Sequence, residues 1–139
     1  MADFKNLDVR DKFDSYPIEI KKKILSLRSL ILASYDESQS ENVVTECLKW
    51  GEPSYTCKAG STIRIDWKPK DPNNLHVYFN CKSKLIETFR EIYGQELDFE
   101  SNRIILLPVD QKLPKMALIH CFTLALNYHK IKHLPLLGA

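Results

Sequence analysis

Apolar residues recur at helical spacing in four parts of the chain. From about Pro17 to Tyr35 the apolar positions lie three and four residues apart, as in a helix packed against a core. After Pro114 almost every position is apolar, which predicts a final helix buried around most of its circumference. The predicted helices are Phe4 to Phe13, about Pro17 to Tyr35, a third that Ser83 caps and Gly94 ends, and a last that Pro114 opens and that Leu134–Pro135 stops.

The middle of the chain instead alternates apolar and polar residues, which is the pattern of half-buried strands. Thr62 to Trp67 and Leu75 to Asn80 show this alternation most clearly. Further strands are predicted at Val43 to Trp50, Ser54 to Cys57, Asp98 to Glu100 and Arg103 to Leu107, the last apolar enough to be covered on both faces. We therefore expect a single α+β domain, residues 1–139, with an antiparallel sheet of about five or six strands flanked by helices.

The segment Trp50-Gly51-Glu52-Pro53-Ser54-Tyr55 separates the helical first third from the strands. Its glycine can adopt a positive φ, and its proline fixes its own φ and restricts the residue before it. These constraints predict a rigid change of chain direction. The two aromatic rings could also form the wall of a pocket.

Composition narrows the classes of function. The 139 residues are 44% hydrophobic and carry a net charge of +2, which suits one ordinary domain and is far less basic than a dedicated nucleic-acid binder. No signal peptide and no apolar run of about 20 residues is evident. We expect a cytoplasmic protein that binds neither nucleic acid nor membrane. Its four scattered cysteines are expected to be reduced.

Sequence motifs of common enzymes are missing. There is no G-x-S-x-G, phosphate-binding glycine loop or dinucleotide fingerprint. His120 and Cys121 could form a nucleophile pair in principle, but adjacent helical residues point about 100° apart and do not face one another. We expect a binding domain rather than an enzyme.

The candidate binding surface is the outward face of the middle strands together with the aromatic corner. A face that mixes Arg, Asp, Tyr and Asn can hold a polar small molecule or a protein partner, although it can equally be an ordinary solvated surface. The predicted ligand-binding residues are Trp50, Tyr55, Arg64, Asp66, Tyr78 and Asn80.

Two sets of residues could bind a metal. Asp8, Asp11 and Asp14 recur every three residues on the first predicted helix, as oxygen ligands for a hard cation would, but interleaved basic residues also fit a solvated face. His129 and His133 would share one side of a continuing helix. The alternative for these histidines is that they lie at the negative end of the helix dipole.

The run ECLKWGEPSY, residues 46 to 55, resembles the signature of the YdhG-like family of small bacterial domains of unknown function. That signature has Glu, an aliphatic residue, an aromatic residue, Gly, Pro and an aromatic residue at its first, third, fifth, sixth, eighth and tenth places, and this run has the required residue at each of them. The resemblance extends to Tyr16–Pro17, Arg28–Ile31, Ile63–Lys68, Val77–Cys81 and Tyr128–Pro135.

This resemblance implies a compact α+β domain with an antiparallel sheet flanked by helices. Some relatives are described as frataxin-like iron chaperones, so delivery of ferrous iron is the alternative function and iron the possible cofactor. The positive net charge, and carboxylates diluted by lysines, depart from what an iron carrier would need. The resemblance identifies no catalytic residues.

Overall fold

The computed structural model describes residues 3–35 and 42–139. The helices in this part of the chain are α1 Leu7–Asp14, α2 Ile18–Ala33, α3 Leu85–Tyr93, α4 Lys115–Leu126 and α5 Tyr128–Ile131, with a final 3-10 turn at Pro135–Gly138. The strands are β1 Thr45–Lys49, β2 Glu52–Thr56, β3 Ile63–Asp66, β4 Asn74–Tyr78, β5 Asp98–Glu100 and β6 Ile104–Pro108.

The six strands form one antiparallel sheet in the order β1-β2-β3-β4-β6-β5. Alternate residues of the sheet, such as Ile65, Val77 and Ile105, are fully buried and join the apolar faces of α1 to α4 in one core. The predicted α+β class, with six antiparallel strands and flanking helices, is confirmed. Because the helices pack against one face, the opposite face of the sheet is left to polar side chains.

Helix α1 begins three residues later than the sequence pattern predicts. Asn6 caps it, since its side-chain oxygen accepts hydrogen bonds from the backbone N–H groups of Asp8 at 3.0 Å and Val9 at 3.2 Å. Phe4 lies before the cap and packs its ring against Phe13. Phe4 therefore extends the apolar pattern of the helix beyond the residue at which the helix begins.

The predicted change of direction is a two-residue hairpin turn between β1 and β2. Trp50 and Gly51 have φ values of 55° and 74°, the pattern of a type I′ turn, and Lys49 pairs with Glu52 across it. Strand β2 thus begins inside the predicted corner and contains Pro53. Pro53 faces Leu48 of β1 directly after the pair that closes the two-residue turn, so its nitrogen points away from β1. The pairing of β2 with β3 starts only at Ser54, so the missing N–H of the proline breaks no ladder bond on that side either.

The predicted last helix is interrupted at Asn127, which ends α4 before the short α5. The carbonyl of Leu126 accepts hydrogen bonds from the Asn42 side chain at 3.1 Å and from the Cys57 thiol at 3.3 Å. The N–H of His129 donates to the carbonyl of Ala59 at 2.8 Å. These hydrogen bonds occupy the carbonyl of Leu126 and the N–H of His129, which a continuing helix would use. The chain therefore turns here.

A buried ion pair connects α2 to the first hairpin. Arg28, whose side chain is 2% exposed, donates from Nε and Nη2 to the Glu46 carboxylate at 2.6 and 3.0 Å. The Tyr55 hydroxyl donates to the same carboxylate at 2.7 Å. Glu46 therefore lies on the core side of β1 because Arg28 and Tyr55 meet it there.

No helix in the described ranges is long and apolar enough to cross a bilayer.

Candidate functional site

The polar face of the sheet carries the candidate site. Cross-strand pairing places Ser54, Arg64, Tyr78 and Ile104 in one row across β2, β3, β4 and β6. The neighbouring row runs from Asp66 through His76 to Leu106. Since alternate residues of a strand point to opposite faces, these side chains lie on the side away from the helical layer.

This face is concave. An open groove of about 920 Å³ runs over it, lined among others by Trp50, Arg64, His76, Tyr78 and Arg103. A smaller depression of about 280 Å³ shares Trp50, Arg64 and Arg103 with the groove. Ile104, the apolar first residue of β6, lines the groove beside the polar groups. The groove thus combines an apolar surface with charged and aromatic side chains.

One end of the face is held by a network of two carboxylates, Glu52 and Asp66, and three cations, one of which, Lys12, lies 3.8 Å from Asp66. Glu52 accepts from Arg64 at 2.9 Å and from Lys68 at 3.1 Å, and Lys68 also contacts Asp66 at 2.8 Å. The hydrogen bond with Asp66 raises the pKa of Lys68 above its ordinary range against the opposing effect of burial, and Glu52 adds to the rise. Both carboxylates are therefore neutralised within the protein.

A second chain of hydrogen bonds runs from Asp71 through His76 to Tyr78. The Nε2 of His76 lies 2.7 Å from Asp71 Oδ2, and its Nδ1 lies 2.9 Å from the Tyr78 hydroxyl. The hydrogen bond from His76 lowers the pKa of Asp71, so this carboxylate is an acceptor. In a neutral His76, Nε2 then carries the proton and Nδ1 accepts from Tyr78. The Tyr78 oxygen is left to accept a hydrogen bond from the groove.

Tyr78 is also fixed from the side. The Arg64 guanidinium lies 5.3 Å from the centre of its ring, a cation–π contact. Burial raises the pKa of Tyr78, and the charge of Glu52 adds to the effect. The hydroxyl is therefore neutral and suited to hydrogen bonding rather than to nucleophilic attack.

Four of the six sequence-predicted ligand-binding residues line these depressions: Trp50, Arg64, Tyr78 and Asn80. Trp50 is 89% exposed. Asn80 lies two residues after the end of β4, and its side chain accepts a hydrogen bond from the N–H of Lys82 at 2.9 Å.

The other two do not belong to the groove. Tyr55 is fully buried on the opposite face, because its place in β2 directs it toward Glu46 and Arg28. Asp66 occupies a position on the polar face but is only 3% exposed, and it accepts from the Tyr16 hydroxyl at 2.6 Å. Placing Tyr55 on the binding face was wrong, and Asp66 supports the groove from beneath.

Sequence reasoning missed Glu52, Asp71, His76 and Arg103. The alternation of β4 could have identified His76, since it lies two residues from Tyr78 and hence on the same face. Asp71 and Arg103 come from connections, where no periodicity predicts direction. Glu52 lies within the segment from Trp50 to Tyr55, which predicts a change of chain direction and gives no sign of a polar contact.

Several residues that were predicted to bind a metal have other partners or lie on different elements. Asp11 pairs with Arg10 at 3.1 Å, and Asp14 pairs with Lys21 at 2.8 Å. His129 belongs to α5, which ends at Ile131. His133 therefore lies outside this helix, whereas the prediction placed both histidines on one continuing helix. Within residues 3–35 and 42–139, no three His, Cys, Asp or Glu side chains form a group that could hold a metal ion. Iron binding stays a prediction, which anaerobic titration with ferrous ion tests.

His120 and Cys121 have separate partners. His120 Nδ1 lies 2.5 Å from the Tyr93 hydroxyl, whereas Cys121 is fully buried in the core. Burial raises the pKa of Cys121 to about 12, so its thiolate is scarce at neutral pH. The two side chains do not form a nucleophile pair.

A second open depression, of about 730 Å³, lies beside α2 and the start of α4. Lys22, Lys23, Lys112, Lys115 and Met116 line it. Lys23 donates to the carbonyls of Val109 and Gln111, which holds the connection before α4 in place. This surface offers lysines and an exposed thioether but none of the aromatic residues of the sheet groove.

Comparison of the chain with protein-family models, curated proteins and solved structures finds no match. The resemblance to the YdhG-like family accordingly stays a prediction from the residues quoted above.

Proposed function

We propose that the protein is a non-enzymatic binding domain that holds a small polar molecule in the groove on the polar face of its sheet. The observation that carries this proposal is the concave surface of about 920 Å³, which Trp50, Tyr78 and Arg64 line together with an apolar residue, Ile104. Ligand sites commonly have volumes of about 300 to 1,000 Å³ and combine apolar walls with a few placed polar groups.

The rigidity of the polar groups supports binding. Arg64 is held by Glu52, and Tyr78 by His76 and Arg64, before any ligand arrives. Side chains that are already ordered lose little conformational entropy when a ligand binds. The groove therefore offers a prearranged set of hydrogen-bonding groups rather than a mobile surface.

The chemistry of the groove favours binding over catalysis. Tyr78 is kept neutral by its raised pKa. Ser54, in the same row, is fully buried and donates its hydroxyl to the carbonyl of Glu52 at 2.9 Å. The Ser54 hydroxyl is bound to a backbone carbonyl rather than to a base. Tyr78 does contact His76, but the raised pKa of its phenol opposes deprotonation and hence nucleophilic attack.

A thermal-shift screen with pooled metabolites and short peptides, followed by calorimetry, tests the proposal. We expect saturable ligands whose affinity falls in Trp50→Asn and Tyr78→Phe but not in Met116→Gln, which changes the exposed residue of the lysine-lined depression. If every ligand binds the groove variants as well as the wild type, or if none binds at all, the proposal is wrong.

A further inference from the structure

Trp50 occupies an unfavourable position for an aromatic residue. Its φ of 55° lies in the left-handed region, which bulky residues rarely adopt, and 89% of its surface is exposed. A type I′ turn favours Asn here. The ring thus contributes neither to the turn nor to the core, and it lies where it lines both depressions. An exposed flat ring held on a rigid hairpin is suited to stacking against another flat ring.

The groove and the smaller depression that shares Trp50 with it carry more positive than negative charge. The cations that line them are Lys49, Arg64, Lys68, Lys70 and Arg103, and the carboxylates are Glu52, Asp71 and Glu100. Glu52 is already paired with Arg64 and Lys68, and Asp71 with His76, so Glu100 is the one lining carboxylate that has no ion pair among the described residues.

Three of the cations have no such partner. Among the ion pairs of the described residues, none involves Lys49, Lys70 or Arg103. Arg103 and Lys49 line the smaller depression together with Trp50. Unpaired cations gathered beside a concave surface attract an anion, and the planar guanidinium of Arg103 matches a carboxylate or phosphate with two parallel hydrogen bonds.

From these observations we infer that the groove selects a small organic anion with a planar ring, and this inference rests on the proposed function. The ring stacks on Trp50, and a carboxylate or phosphate group binds Arg103 with support from Lys49. When Tyr78 donates its hydroxyl to a neutral His76, its oxygen can accept a hydrogen bond from a donor on the ligand. A neutral ring can make only the stacking contact with Trp50, and an anion without a ring can make only the contact with Arg103.

Paired probes separate the two requirements. Benzoate and AMP carry both a planar ring and an oxyanion. Benzamide and adenosine keep the ring without the charge, whereas cyclohexanecarboxylate and inorganic phosphate keep the charge without the planar ring. We expect benzoate or AMP to bind about tenfold or more tightly than its two matched analogues, because a charge-assisted hydrogen bond and a stacked ring each contribute about that factor. The gain in affinity from benzamide to benzoate, compared with the gain from adenosine to AMP, shows whether the site prefers a carboxylate or a phosphate.

The indole N–H signals in proton–nitrogen NMR spectra report the site of binding with an internal control. The Trp50 signal should shift, while that of Trp67, which donates to the carbonyl of Pro72 at 3.0 Å, should stay in place. Arg103→Gln should weaken binding about tenfold or more. Arg10→Gln removes an equal charge from an exposed position on α1 and should leave the affinity unchanged. Trp50→Asn keeps the turn and should remove the preference for a planar ring.

The possible outcomes are distinct. The inference is overturned if the charged and uncharged probes bind alike, if Arg103→Gln behaves like Arg10→Gln, or if none of the probes shifts the Trp50 signal. If the metabolite screen at the same time yields neutral or non-planar ligands that bind the groove, the proposed function stands without this inference. If the screen also yields no groove ligand, both fail.

Discussion

The buried pair between Arg28 and Glu46 makes a sharp test of how this fold is held together. Glu46→Gln keeps the size of the side chain and removes its charge. The Arg28 guanidinium, 2% exposed, then loses the carboxylate that it contacts at 2.6 Å. Burial acts to lower the pKa of Arg28, but its hydrogen bond and charge interaction with Glu46 outweigh burial and raise it. The variant therefore removes from a buried charge the carboxylate that faces it.

We expect this substitution to lower the free energy of unfolding by about 3 kcal/mol, near the lower end of what removing one partner of a buried pair costs. Urea unfolding followed by circular dichroism measures it. Asp14→Asn is the matched control, since it makes the same chemical change in a surface pair with Lys21 whose side chains are 53% and 31% exposed. The control should have a much smaller effect.

A double variant completes the test. Arg28→Met with Glu46→Leu replaces both charges by apolar groups, which is often neutral or stabilising in a buried site. We expect it to be more stable than either single substitution. If Glu46→Gln costs no more than the surface control, or if the double variant loses the sum of the two single losses, the reasoning from the buried charge is refuted.

Three further predictions follow from other parts of the structure. Trp50→Asn should raise the free energy of unfolding by about 0.5 to 1 kcal/mol, because Asn tolerates a positive φ, and an unchanged or lower urea midpoint would contradict this. The hydrogen bond from His76 holds the pKa of Asp71 below its ordinary value of 3.8, so the stability from this pair is present above pH 3.8 and is lost as the pH falls through the lowered pKa. An NMR titration of the Asp71 carboxyl should give a higher pKa in His76→Leu than in the wild type, although the hydrogen bond from Asn74 still acts to lower it, and equal pKa values in the two proteins would refute the effect of His76. A thiol reagent should modify exposed Cys81 first and buried Cys121 only on unfolding, and mass spectrometry that finds the reverse order would contradict the burial of Cys121.

The sheet and helices could be predicted because periodicity reports burial directly. The alternation of β3 and β4 placed Arg64 and Tyr78 on one face, and the cross-strand pairing of these two residues in the structure agrees. Element ends were harder to predict, since they depend on caps and on contacts from other parts of the chain. The break after Leu126 is one case, because distant Asn42 and Cys57 cause it.

The candidate site was only partly predictable for a related reason. Tyr55 was assigned to the binding face from its place beside Trp50, yet the hairpin turn sets the register and directs it into the core. Arg103 reaches the groove from the turn between β5 and β6. Its neighbours there, Trp50 and Arg64, are far away in sequence, so only the order of strands in the sheet brings them together.

The central claim is that the polar face of the sheet binds a small polar ligand, and mapping amide shifts with a ligand from the screen tests it most directly. We expect a saturable ligand to shift the backbone signals of Arg64, Tyr78 and Asn80 and the indole signal of Trp50. A ligand that saturates while shifting only signals around Lys22 and Met116, at the lysine-lined depression, would contradict it.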